Sequence, residues 1–238
     1  MNTLSASPPL TARPLRAIVL AAGRGERMRP LTDTTPKPLL PVFGRPLIEW
    51  HLLALARDGV REVLINTAWL EDRFPAVLGD GSRFGLAIRW SHEGRDFGGA
   101  LETAGGIATA LPWLAEDGRD AFWVVSGDIW APDFRFEAAT AARFLAGDHD
   151  AHLWLVPNPP YHPRGDFDAG DGTRLTYANL ALMRPRLLAG TPAGRRAALG
   201  PLLLDGVAAG RIGLERYAGR WENVGTPAQL AALQEPRA

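Results

Sequence analysis

Apolar and polar positions along this chain fall into two kinds of block. Arg16–Ala22, Glu62–Thr67, Leu86–Ser91, Ala121–Ser126 and Ala151–Pro157 are short, mostly apolar runs and read as strands. Between them the apolar residues recur at helical spacing. In Pro46–Asp58, Leu47, Ile48, His51, Leu52 and Leu55 share one face, and Pro46 suits a first helical turn. Trp69–Leu78 predicts a short helix bent near Pro75. Thr103–Ala115 predicts a helix whose regular part ends at Pro112, and Phe134–Ala146 predicts another. Such alternation implies parallel strands with helices on both faces. After Pro157 the pattern changes. A stretch rich in Pro, Gly and Asp runs to Gly172, followed by strands at Leu175–Met183 and Arg211–Tyr217. A helix near Ala197–Ala209 lies between them, and Pro227–Gln234 is a closing helix. These later strands are expected to complete the same sheet.

Composition narrows the classes. With 238 residues, 46% of them hydrophobic, the chain forms one large domain or at most two small ones. Acidic and basic residues number 26 each, so there is no nucleic-acid footprint and no polybasic membrane patch. There is no cysteine, which removes disulfides, thiol catalysis and cysteine-based zinc sites. The five histidines show no paired metal spacing. No apolar run has the length of a membrane span, and residues 1–15 read as a flexible N-terminal tail. The expectation is a soluble, cytoplasmic protein.

The first strand runs into Gly23-Arg24-Gly25-Glu26-Arg27-Met28-Arg29-Pro30-Leu31-Thr32, with Pro36-Lys37-Pro38 close behind. Glycines 23 and 25 let backbone amides approach an anion, and Arg27 and Arg29 supply charge. Ligands of open α/β sheets sit beyond the carboxyl ends of the strands, where this loop lies. A dinucleotide fingerprint fails because Met28 stands where its third glycine belongs, and no Walker loop is present. Lys37 is the only lysine in a chain that uses arginine everywhere else. An ammonium group is a compact charge with three donors, suited to a phosphate in a tight loop. Ser126-Gly127-Asp128 ends the fourth strand. Gly-Asp is a common turn, but at a strand's carboxyl end it also offers a magnesium ligand.

Taken together, the arginine loop and the Pro-Lys-Pro triplet resemble the sugar-1-phosphate nucleotidyltransferase family, over residues 16–232. The resemblance implies a single α/β domain, 16–238, of the three-layer α/β/α nucleotide-diphospho-sugar transferase type. Its central sheet is Rossmann-like, mostly parallel and mixed. Residues 16–157 are the nucleotide-binding half and 158–238 the sugar-binding or lid half. The implied partners are an NTP and a sugar 1-phosphate, giving NDP-sugar and pyrophosphate with Mg²⁺ as cofactor. Arg27 and Lys37 are then the catalytic residues, on the triphosphate and the α-phosphate. Ala21, Ala22, Gly23, Gly25, Asn66, Glu102, Thr103 and Gly105 are the nucleotide-binding set, and Asp128 is the metal carboxylate. The family's second metal carboxylate lies in a late Trp-x-Asp-x-Gly-Thr segment. Here Trp221-Glu222-Asn223-Val224-Gly225-Thr226 carries an amide instead, so Asn223 is the weaker second ligand.

Leu101-Glu102-Thr103-Ala104-Gly105-Gly106 reads plainly as a helix start capped by Thr103. In the family this segment cups the base. With Ile65-Asn66-Thr67-Ala68-Trp69 and Arg164-Gly165-Asp166-Phe167, it is similar to the branch that uridylylates N-acetylmuramic acid 1-phosphate in cell-wall recycling. UTP is the implied nucleotide, and Asp166 and Asn179 the implied sugar contacts. Asn179 stands where that branch usually has glycine. Two alternatives stay open: a guanylyltransferase for mannose 1-phosphate, and a non-catalytic nucleotide-sugar binding protein.

Overall fold

A computed structural model describes residues 13–235, so the expected tail lies outside the described residues except for its last three positions. The strands are β1 (Ala17–Leu20), β2 (Pro41–Val42), β3 (Arg45–Pro46), β4 (Glu62–Thr67), β5 (Ala87–His92), β6 (Phe122–Ser126), β7 (Ile129–Trp130), β8 (Ala151–Val156), β9 (Phe167–Asp168), β10 (Arg174–Met183), β11 (Ile212–Arg216) and β12 (Glu222–Asn223). The α-helices are α1 (Leu47–Arg57), α2 (Arg73–Leu78), α3 (Glu93–Phe97), α4 (Glu102–Leu114), α5 (Ala138–Ala146), α6 (Gly200–Ala208) and α7 (Pro227–Gln234).

The main sheet has eight strands, in the order β11-β8-β10-β6-β1-β4-β5 with β9 paired to β10. Its pairs are parallel except where β10 runs antiparallel to β6, β8 and β9. Side chains alternate faces along a strand, and both faces are covered. Val19, Val63, Ile65, Trp123 and Val125 pack under α1, α2 and α5. Ile18, Leu64, Phe122 and Val124 pack under α4 and α6. The result is the expected three-layer α/β/α architecture with a mostly parallel mixed sheet. Each fully buried Val, Leu or Phe in these layers stabilises the fold by roughly 1.5–3 kcal/mol.

Several elements depart from the periodicity. Helix α5 begins at Ala138 and not at Phe134, because Phe134 and Phe136 both turn inward from extended backbone. They meet Trp123 with ring centroids 6.4 and 5.2 Å away, and the Phe136 N–H donates to Asp58 at 2.8 Å. Helix α2 begins only at Arg73, since Leu70 has φ +49° and Trp69 is held away by a 2.9 Å bond from its indole N–H to the Thr32 carbonyl. Pro75 then sits in the first turn, where no i−4 bond is lost. Pro112 does not end α4, which continues to Leu114. Its missing N–H deletes one bond, while the Ala115 N–H still donates to Leu111 at 2.9 Å. Helix α6 starts at Gly200 because Ala197 is committed elsewhere, as described below.

Strands β1, β4 and β6 point the same way and end at Leu20, Thr67 and Ser126. The loop after β1, Gly127-Asp128 and the start of α4 therefore share one edge of the sheet. β10 enters at that edge from the opposite direction. Residues widely separated in sequence meet there.

Candidate active site

Three short 3₁₀ turns, Glu26–Met28, Leu31–Asp33 and Lys37–Leu39, fold the loop after β1 back on itself. Gly25 makes this possible. Its φ is +67°, and a Cβ there would lie 3.1 Å from Thr32 Cγ2 and 3.2 Å from Lys37 Cβ. The Thr32 hydroxyl closes the loop by donating to the Gly25 carbonyl at 2.8 Å. Leu20, Ala21, Gly23, Gly25, Arg27, Lys37, Asp128 and Gly225 line the resulting cavity of about 380 Å³, together with Glu26 and Pro38.

The three arginines of the loop have different fates. Arg27 lines the cavity, and its Nη2 approaches Gly225. Arg24 stacks 3.5 Å over Trp69 and donates to the Thr32 carbonyl, while Arg29 pairs with Asp33 at 2.8 Å. The expectation that Arg29 charges the pocket is therefore corrected. Its guanidinium is turned to an exposed ion pair.

Lys37 is buried, and its Nζ meets Asp128 Oδ2 at 2.8 Å. One of its three N–H donors faces Asp128, leaving two for phosphate oxygens. Asp128 is backed by a small two-stranded sheet, β7 with β12, in which Asn223 is opposite Ile129 and the Val224 N–H donates to the Asp128 carbonyl. Trp221 anchors this strand through a 2.9 Å bond from its indole N–H to the Ala178 carbonyl of β10. Thr226 caps α7 by accepting from the Gln229 N–H at 3.2 Å. The buried Oδ1 of Asn223 has no hydrogen-bond partner. A buried, unpartnered carbonyl oxygen costs free energy unless something else meets it. Asp128, just before β7, lines the smaller cavity and Asn223 the larger cleft beside it; a carboxylate and an amide oxygen are hard ligands of the kind Mg²⁺ takes. No cluster of three His, Cys, Asp or Glu able to hold a metal occurs among the described residues.

On the other side, His51 of α1 supports β7. Its buried Nε2 donates to the Ile129 carbonyl at 2.8 Å, which requires the proton on Nε2. Burial lowers its pKa from 6.5 to about 4, against smaller opposing effects of the Ile129 bond and Asp128. Between those values the unfolded chain takes up a proton that the fold refuses, so stability falls as pH drops through that window. The loss reaches about 2 kcal/mol at pH 5. Urea titrations at pH 7 and pH 5 are expected to show it, and His51→Gln to flatten it. An unchanged difference in the variant would place the acid sensitivity elsewhere.

A larger cleft of about 770 Å³ adjoins the first, with Leu20 in the wall of both. Glu102, Thr103, Asp166, Asn179 and Asn223 line it. Asn179 has φ +58° at a bulge between β10 and β8, where pairing shifts between Tyr177 and Ala181. This left-handed position explains why glycine is usual there, and asparagine is among the side chains that tolerate it best. Glu102 is likewise at φ +61°, and its carboxylate pairs with Arg196 at 3.2 Å. Two non-glycine residues with left-handed backbone thus stand in one cleft wall. Thr103 is not a cap. The Ala104 and Gly105 N–H groups at the start of α4 donate to the Ala197 carbonyl at 2.9 and 3.1 Å.

Three candidates lie away from both cavities. Ala22 is buried beside the loop. Gly105 packs so closely on the 195–197 segment that a Cβ would lie 2.1 Å from the Arg195 carbonyl oxygen. Asn66 is a link behind the loop. It accepts from the Ala21 N–H at 2.9 Å and donates to Glu93 Oε1 at 2.7 Å, and Glu93 Oε2 accepts from the Leu101 N–H at 2.8 Å. Glu93 thus ties the phosphate loop to the start of α4. Burial raises its pKa, against the two hydrogen bonds that lower it. Sequence reading missed Glu93, although its place just past β5, at a carboxyl strand end, was a usable signal. It also missed Tyr161, which lines the large cleft. Burial and then Glu222 raise the Tyr161 pKa, so the phenol stays protonated at neutral pH.

Comparison with known proteins fits this geometry. A family model described as nucleotidyl transferase matches residues 16–162. N-acetylmuramate alpha-1-phosphate uridylyltransferase from Neisseria meningitidis serogroup B is 45% identical over 231 residues, covering 92% of this chain and 97% of that protein. The enzyme of the same name from Caulobacter vibrioides is 33% identical over 243 residues, covering 94% and 97%. Among solved structures, a Bacillus anthracis chain assigned as a glucose-1-phosphate thymidylyltransferase, with sucrose bound, superposes with a TM-score of 0.74. The match covers 93% of this chain and 94% of that one at 21% identity, a likeness of fold.

Proposed function

The chain belongs to the nucleotidyl transferase family, and on that footing we propose that it transfers the uridylyl group of UTP to N-acetylmuramate α-1-phosphate, releasing pyrophosphate. The observation that carries the reading is the pair of adjoining cavities. Lys37, Arg27 and Asp128 meet around a space fit for a polyphosphate, and that space opens beside a cleft large enough for a nucleoside and a sugar. Residues 16–157 supply most of the first and 158–238 much of the second, as one domain.

A phosphate oxygen of the sugar phosphate attacks the α-phosphorus, the bond to the bridging α,β-oxygen breaks, and pyrophosphate leaves with the electron pair. The attacking oxygen is already anionic at neutral pH, so no general base is needed. The chain's contribution is alignment and charge. Backbone amides around Gly23 and Gly25 and the Arg27 guanidinium hold the triphosphate. Lys37 places its two remaining donors on the α-phosphate, where negative charge crowds as the nucleophile arrives. Asp128 and Asn223 would hold Mg²⁺, which supplies further neutralisation of the triphosphate. UTP and a sugar phosphate of peptidoglycan recycling are cytoplasmic compounds, and among the described residues no helix is long and apolar enough to cross a membrane.

An amide oxygen in place of a carboxylate weakens a Mg²⁺ site. Asn223→Asp is expected to lower the Mg²⁺ concentration for half-maximal activity several-fold, as one added ligand charge requires. An unchanged magnesium titration would remove Asn223 from the metal site. The function itself is tested by pyrophosphate release across UTP, GTP, dTTP, CTP and ATP, each with a panel of sugar 1-phosphates. UTP with N-acetylmuramate 1-phosphate is the expected best pair. Preference for GTP with mannose 1-phosphate, or nucleotide binding without turnover, would replace this reading.

A further inference from the structure

We infer that Arg174 recognises the lactyl carboxylate of the sugar and so separates N-acetylmuramate from N-acetylglucosamine phosphates; the inference rests on the function proposed above. The large cleft has four ionisable side chains of ordinary acid or base type in its wall: Glu102, His162, Asp166 and Arg174. Glu102 is neutralised by Arg196 at 3.2 Å. Asp166 accepts from the His162 Nε2 at 3.0 Å and from the Tyr177 N–H at 2.8 Å. Arg174 is the only arginine or lysine lining this cleft among the described residues, and it has no ion-pair partner there.

Its side chain is nonetheless held in place. Nε donates to the Arg164 carbonyl at 3.1 Å, and Nη2 donates to the carbonyls of Gly165 at 3.3 Å and Asp166 at 2.7 Å. Carbonyls orient a guanidinium without cancelling its charge. Nη1 makes no hydrogen bond to the described residues, so two N–H donors stay available. A fixed guanidinium with free donors and no counter-ion is a carboxylate receptor. Gly165 lets the 158–166 loop fold onto it, with φ +59° and a would-be Cβ only 3.0 Å from the Arg174 carbonyl carbon. Arg174 opens β10 on the same strand as Thr176, Tyr177 and Asn179, all of which line the cleft. It therefore stands in the half assigned to the sugar, apart from the phosphate charges of Lys37 and Arg27. A second anion on the substrate, remote from its phosphate, is what this arrangement fits. N-acetylmuramate carries one on its 3-O-lactyl ether, and N-acetylglucosamine does not.

The test uses the full chain with UTP and measures kcat/KM for N-acetylmuramate 1-phosphate and N-acetylglucosamine 1-phosphate. Calorimetric Kd values for UDP-N-acetylmuramate, its lactyl methyl ester and UDP-N-acetylglucosamine accompany them, so that an inert second substrate does not block the comparison. Arg174→Gln is expected to cut the preference for the muramate compounds about 10- to 100-fold, the range for a charge-assisted hydrogen bond, with KM for UTP unchanged. Esterifying the lactyl group should cost the wild type a similar factor and the variant little. Arg174→Lys keeps the charge but not the fork, so it should retain an intermediate preference and serves if the glutamine variant does not fold. An equal loss for both sugars would reduce Arg174 to an anchor for the 158–166 loop, and an unchanged ratio would also overturn the inference. Failure of the wild type to use N-acetylmuramate 1-phosphate with UTP would instead defeat the proposed function, and this inference with it.

Discussion

Lys37→Ala is expected to lower kcat about 10²–10³-fold while changing the Kd for UTP only a few-fold. The asymmetry follows from where the charge sits. In the resting site Lys37 is paired with Asp128 at 2.8 Å, so its removal frees an anion as well as deleting a cation. Ground-state binding of the triphosphate still has Arg27 and the loop amides. In the proposed mechanism the α-phosphate becomes most crowded with negative charge only in the transition state, where the ammonium would act. Arginine is a poor substitute because the lysine stem is packed against Gly25, whose would-be Cβ is 3.2 Å from Lys37 Cβ and 3.7 Å from Cδ. A planar fork at the end of that buried stem would push into the cavity. Lys37→Arg is therefore expected to recover little. Single-turnover rates and UTP calorimetry check both variants. A raised KM with wild-type kcat would show that Lys37 only binds.

Asp128→Asn is expected to cut kcat/KM about 10³-fold in Mg²⁺, with a sign reversal in its absence. Without the cation, a carboxylate lining the phosphate cavity repels UTP, so removing it should leave UTP binding equal or tighter. With the cation, the loss of the charged one of the two proposed ligands, Asp128 and Asn223, should weaken both metal and nucleotide binding. Calorimetry of UTP with Mg²⁺ and with EDTA reads both arms. Identical binding changes in the two conditions would mean that Asp128 acts only as the counter-ion of Lys37.

Much of this candidate site is legible in the amino-acid sequence. The only lysine of the chain, the paired glycines and the Gly-Asp after a strand are local signals, because the chemistry of phosphate binding demands particular residue types at short spacing. The strand runs were legible for the same reason. A strand buried on both faces is apolar through its middle, as Ala17–Leu20, Val63–Ile65, Phe122–Val125 and Leu153–Val156 are. Helix starts were less so. Whether Phe134 and Phe136 belong to α5 depends on Trp123 and Trp154, which lie on other strands.

The amino-acid sequence by itself determined the layer architecture, the phosphate loop and the identity of the groups able to neutralise charge, since all three are written in periodicity and residue type. Only the tertiary structure decided what those groups do. It paired Lys37 with Asp128, 91 positions away, by laying β1 beside β6. It sent Arg29 to Asp33 and left Arg27 in the cavity, made Asn66 and the unforeseen Glu93 a brace behind the loop, and left Asn223 with a buried oxygen and no partner. It also left Arg174 charged and unpaired in the cleft wall. Ion pairing and burial depend on distances between segments remote in sequence, and those distances exist only once the sheet has formed.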